Sequence, residues 1–123
     1  MAQKTPLPGR KVRGSTTGRP IMAALDLAGR RWLLRILWEL REEALTFRVL
    51  QERCGAISPT VLNTRLAEMR DAGLLETSDA GYRLTARGGE LIEALVPLTR
   101  WAERWAKEGS KRARRVFPSR SKA

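Results

Sequence analysis

Histidine is absent from this 123-residue chain, and cysteine occurs once, at Cys54. The missing imidazole removes the usual general base of nucleophilic catalysis, and the scattered carboxylates carry no hydrolase signature, so an enzyme is not expected. A lone thiol forms no intramolecular disulfide and, without histidine, joins no ordinary zinc site, so neither a metal nor another cofactor is expected. Long apolar runs are missing as well. Nothing approaches the roughly 18 residues of a membrane span, and residues 1–20 hold no stretch resembling a secretory signal. A cytoplasmic protein without membrane contact is expected. The aromatic set is four Trp, two Phe and one Tyr, mostly at core-like helical positions, which leaves no stacking platform for RNA bases.

Acidic residues are missing from both ends. Residues 1–19 carry Lys4, Arg10, Lys11, Arg13 and Arg19, and residues 109–123 carry Lys111, Arg112, Arg114, Arg115, Arg120 and Lys122, with no acid in either stretch. The segment between them balances its charges, so the formal net charge of +11 resides entirely in the two ends. Their Gly, Pro, Ser and basic composition predicts flexible basic tails over residues 1–18 and 109–123. Cationic arms of this kind bind polyanions through counterion release, without sequence preference. The alternative is that they only maintain solubility. Residues 19–108 are expected to form one domain, its core filled from the 42% hydrophobic content.

Helical spacing begins at Ile21, Met22, Leu25 and Ala28 and stops at Gly29. A second helix is predicted over Arg31–Glu43, burying Trp32, Leu33, Ile36, Leu37 and Leu40. Thr46 is placed as the N-cap of a short third helix ending near Gly55. Ser58 is placed as the cap of a fourth, with Pro59 in its first turn, where a missing amide proton costs nothing. The few residues between helices three and four match the spacing of a helix-turn-helix. On the fourth helix Val61, Leu62, Leu66 and Met69 point one way, and Thr60, Asn63, Thr64 and Ala67 share another face. That second face is short, polar and free of acid, suited to a major groove, where Asn bonds an adenine edge and Thr meets a base or a thymine methyl. A merely solvated face has the same composition.

After Gly73 the period changes. Leu74–Thr77 and Tyr82–Thr85 read as strands joined by Ser78-Asp79-Ala80-Gly81, a wing whose Arg83 either reaches phosphate or pairs with Glu76. Thr85 then caps a long helix to about Lys107, bent at Pro97, with Leu95, Leu98, Trp101 and Trp105 on its apolar stripe. The surplus of apolar helix, with Ile21 and Leu25 of the first helix, points to a homodimer interface; the alternative is a last helix that folds back on its own core. An interface lined by Trp101 and Trp105 would have room for a small apolar effector.

The segments Gly29-Arg30-Arg31-Trp32, Ile36-Leu37-Trp38-Glu39-Leu40, Thr46-Phe47-Arg48-Val49-Leu50, Ile57-Ser58-Pro59-Thr60-Val61-Leu62 and Tyr82-Arg83-Leu84-Thr85, in this order and spacing, resemble the HxlR-type regulators over about residues 21–106. The resemblance implies a mainly α fold with a small β-hairpin, namely a winged helix-turn-helix with a long C-terminal dimerisation helix, related to the MarR type. It implies a homodimer that binds double-stranded DNA at an inverted-repeat operator. On that reading Ser58, Pro59, Thr60, Asn63 and Thr64 form the groove-facing start of the recognition helix. Arg48 is a phosphate contact, and Arg65 either contacts phosphate or pairs internally with Glu68 or Asp71. Two features depart from the family. No cysteine stands in Ile21–Ala28, where members often carry a reactive one, and the Thr77–Tyr82 connection is shorter than the usual wing. Two other readings stay open: a nucleoid-type architectural protein that coats DNA through its tails, and a winged protein-interaction module without DNA readout.

Overall fold

A computed structural model describes residues 5–10, 12 and 19–116 of the chain. In order it has α1 (Pro20–Ala28), α2 (Leu33–Glu39), α3 (Phe47–Cys54), α4 (Pro59–Asp71), β1 (Leu75–Ser78), β2 (Gly81–Leu84) and α5 (Ala86–Val116). The chain divides into one unit ending at Ile92 and a second from Glu93 onward, with α5 contributing residues to both. The first unit is a winged helix-turn-helix: three helices and the hairpin enclose Leu33, Ile36, Leu37, Leu50, Leu62, Leu66, Met69 and Leu75, all fully buried.

Short polar residues start these helices where the sequence places them. Thr46 Oγ1 accepts the Val49 amide at 3.2 Å and Ser58 Oγ the Val61 amide at 3.1 Å, each satisfying a donor that the first helical turn leaves open. Thr85 Oγ1 does the same for the Gly88 amide at the start of α5. The second helix is shorter than expected at both ends. Trp32 takes a left-handed φ of 77°, so the helix starts only at Leu33, and Leu40 caps it. Trp32 is consequently half-buried, whereas Leu33, Ile36, Leu37 and Leu40 are buried as the spacing requires.

The hairpin pairs Leu75 with Leu84 and Ser78 with Gly81, which reduces the turn to Asp79 and Ala80. Leu45, ahead of α3, adds a single bridge to Tyr82, their amides donating to each other's carbonyls at 2.9 and 2.8 Å. Gly81 permits this approach: a Cβ there would collide with the Leu45 carbonyl. The wing thus has a third, one-residue contributor that period-two alternation does not reveal.

Part of each end lies within the described residues. Thr5 and Pro6 are buried, and Thr5 Oγ1 donates to Asp71 Oδ2 at 3.1 Å while Arg10 Nη1 donates to the Thr5 carbonyl at 3.1 Å. The run Pro6-Leu7-Pro8 is apolar enough to dock, a local property that an average over residues 1–18 conceals. At the other end α5 remains helical to Val116, past the expected boundary at residue 109. The basic residues Lys4, Lys11, Arg13, Arg120 and Lys122 lie outside the described residues.

Candidate nucleic-acid interface

α4 has two distinct sides. Leu62, Leu66 and Met69 are buried, and Thr60, Asn63, Thr64 and Ala67 are exposed together on the opposite face, with Ser58 and Pro59 exposed at its start. Among the described residues the Asn63 amide has no hydrogen-bond partner, so both its donor and its acceptor face solvent. The Thr64 hydroxyl donates to the Thr60 carbonyl at 3.0 Å, which fixes its rotamer and leaves its methyl and an acceptor lone pair outward. A face with one free amide and short hydroxyls offers base-edge chemistry without the steric or electrostatic bar that a carboxylate would impose.

The arginines divide by burial. Arg65 Nε donates to the Arg31 carbonyl at 2.7 Å and its Nη1 to Glu68 Oε1 at 2.8 Å, with the side chain only 18% exposed. The other Glu68 oxygen accepts Arg30 Nη1 at 2.8 Å. Of the two roles the sequence allows Arg65, the geometry gives the internal pairing with Glu68, which ties α4 to the α1–α2 loop. Arg48 lies in the first turn of α3 with its side chain 87% exposed, 3.5 Å from Glu52. Arg83 meets Glu76 across the hairpin at 2.8 Å, both about half exposed. Solvated pairs such as these contribute about 0–1 kcal/mol, so either arginine exchanges its carboxylate for another anion at little cost. Arg70 was missed by the sequence reading. It is exposed and, among the described residues, unpartnered, and the signal for it is its spacing, seven residues after Asn63 and three after Ala67 on one face.

The residues assigned to self-association are solvent-facing in the single chain. Ile21 and Leu25 on α1 are 60% and 59% exposed. On α5, Leu95 is half-buried, Leu98 and Trp101 are about half exposed, and Trp105 is more so, with the two indole rings stacked 5.1 Å apart. Cys54 is buried, and desolvation pushes its thiol pKa up, against a smaller lowering by Arg35 and a further rise from Glu39. That is the setting of a packing residue and not of a reactive thiolate. Among the described residues, no cluster of His, Cys, Asp and Glu is fit to hold a metal, and no helix is long and apolar enough to cross a membrane.

Residues 27–110 match the profile of the HxlR-like helix-turn-helix family. The chain is 27% identical over 89 residues to an HTH-type transcriptional regulator of Methanocaldococcus jannaschii, covering 68% of this chain and 83% of that one. It is 35% identical over 95 residues to an HTH-type transcriptional regulator of Mycobacterium tuberculosis, covering 72% of this chain but only 60% of the mycobacterial protein's length. The quinone-bound YodB of B. subtilis superposes with a TM-score of 0.66 at 27% identity, over 68% of this chain and 96% of YodB.

Proposed function

Because the chain belongs to the HxlR-like helix-turn-helix family of DNA-binding transcription regulators, we propose that it acts as a homodimer on an inverted-repeat operator, each copy reading one half-site with α4. The observation that carries this reading is the exposed, acid-free face of Thr60, Asn63 and Thr64 on a helix whose other side is fully packed. Asn63 is the direct reader, Thr60 and Thr64 contact bases or thymine methyls, and Ser58 and Pro59 set the angle of entry. Arg48, Arg83 and Arg70 contact phosphate and fix register, and the basic ends add affinity without preference. A second copy covers Ile21 and Leu25 on α1 and Leu95, Leu98, Trp101 and Trp105 on α5. Such a protein works in the cytoplasm, on the nucleoid.

YodB is bound to a quinone, and a small apolar effector at a dimer interface lined by Trp101 and Trp105 is the corresponding reading here, without a cysteine in Ile21–Ala28 to make a covalent adduct.

Selection from a randomised duplex pool at near-physiological salt tests the proposal. The expected product is an inverted repeat with half-sites about one helical turn apart, and a double Asn63→Ala, Thr64→Ala variant loses about 1–3 kcal/mol of discrimination per contacted base pair. The net charge of +11, confined to the ends, favours the architectural reading as the alternative. Full-length protein that binds every duplex alike and is indifferent to the double substitution would establish it.

A further inference from the structure

The unit ending at Ile92 contains a cavity of about 370 Å³ that the DNA-reading surface does not use. Its roof is Pro6 and Pro8 of the N-terminal segment, and its walls include Ala24 and Leu27 of α1 and Leu91 of α5. The base is rigid: Leu74 donates its amide to the Met69 carbonyl at 2.8 Å and accepts the Thr85 amide at 3.0 Å, and a Cβ at Gly88 would strike the Leu74 carbonyl. An apolar cavity of about 150 Å³ is enough to take up benzene, so this one has room for about two fused rings, within the size range of small-molecule sites.

Two charged side chains interrupt the apolar lining, Arg87 and Glu90. Among the described residues neither has an ion-pair or hydrogen-bond partner. Elsewhere in this unit Arg30, Arg35, Arg48, Arg53, Arg65 and Arg83 are each paired with a carboxylate; Arg87, like Arg70, is not, and of these two only Arg87 lines the apolar cavity. We propose that this cavity binds a small apolar monocarboxylic acid, its hydrocarbon body among the prolines, alanines and leucines and its carboxylate on Arg87.

Guanidinium and carboxylate match in a two-bond fork. Glu90, three residues further along α5, places a negative charge in the same lining and disfavours a second anion, so monoacids are preferred over diacids. The roof is held by the Thr5–Asp71 hydrogen bond, which ends on the last residue of the recognition helix.

The test uses the full-length chain and calorimetric titration without DNA, so its outcome is independent of the operator reading. The probes are naphthoate, neutral naphthamide and a naphthalene dicarboxylate. Naphthoate is expected to bind saturably with one site per chain and more tightly than the diacid. Arg87→Met is expected to weaken naphthoate about tenfold or more, the scale of a lost charged hydrogen bond, while leaving naphthamide unchanged. Ala24→Phe, which fills the cavity from an exposed helix position, is expected to abolish binding of both. Absence of saturable naphthoate binding overturns the proposal, and so does equal affinity in wild type and Arg87→Met. The Arg87 substitution alters an exposed side chain and decides the matter even where Ala24→Phe fails to fold.

Discussion

Up to Ile92 most large apolar side chains of α2, α3 and α4 turn inward, and Leu33, Leu37, Leu50 and Leu62 have no exposed surface at all, while Ile21 and Leu25 on α1 and Trp38 on α2 stay exposed. From Glu93 on, α5 repeats the same helical period, yet Val96, Leu98, Trp101 and Trp105 stand 40% to 63% exposed. Periodicity therefore identifies a face that needs covering and says nothing of whether the cover comes from the same chain. In the first unit, charge reinforces the packing: Glu68, 7% exposed, accepts from Arg30 and from Arg65. In the second, two exposed indoles stack on each other, the kind of rigid aromatic surface that anchors an association.

The contrast is broken most forcefully from the buried side. Leu62→Ala removes a fully buried side chain from α4 and is expected to cost about 2–5 kcal/mol, read as a lower denaturant midpoint with an unchanged slope. A loss below about 1 kcal/mol would mean that the space collapses and that the unit is less tightly packed than its burial implies. The double Trp101→Ala, Trp105→Ala variant should behave in the opposite way. Its unfolding should be nearly unaffected at concentrations where the chain is monomeric, while self-association weakens by about 2 kcal/mol, roughly 30-fold, by analytical ultracentrifugation. A variant that associates like wild type would leave the exposed stripe without its assigned purpose.

How far the sequence discloses this contrast depends on the range of the interaction. Thr46, Ser58 and Thr85 are legible because a cap acts within three residues, and the four exposed positions of α4 are legible because helical geometry is local. The left-handed Trp32 has no composition signal of the kind glycine gives. The Leu45–Tyr82 bridge joins residues far apart in sequence through one register position. Arg65 had two acids in reach by spacing, and only the approach of Arg30 and the Arg31 carbonyl makes Glu68 the partner. Thr5 and Pro6 were read as tail because basic neighbours outweigh an apolar tripeptide in any average. Arg70 was within reach of the spacing rule and was overlooked because the face was defined by its small polar members.

The caps permit a finer comparison, between local and distant stabilisation. Thr46→Ala and Ser58→Ala each remove one hydroxyl acceptor from an exposed helix start, and each is expected to cost about 1 kcal/mol, well below the Leu62 change. Glycine at either position should recover most of the loss, because its exposed backbone lets water reach the freed amides. If glycine were worse than alanine, the hydroxyl's contribution would lie in packing rather than capping.

Cys54 offers the smallest and most specific comparison, between a buried thiol and the solvent-facing groups around it. Burial raises its folded pKa above the ordinary thiol value, so the folded state favours the protonated form. The stability this contributes is complete below the unfolded thiol pKa of about 8.5 and is lost as pH climbs through the raised folded value. Every other titrating group is shared with a Cys54→Ala variant, so the difference between the two proteins isolates the thiol. Chemical denaturation from neutral to alkaline pH should show wild type losing more stability than Cys54→Ala. Iodoacetamide should modify the native thiol far more slowly than the unfolded one across the same range. Parallel pH profiles together with rapid native alkylation would identify an accessible thiolate, and Cys54 would then be a candidate sensor despite its position among the core side chains.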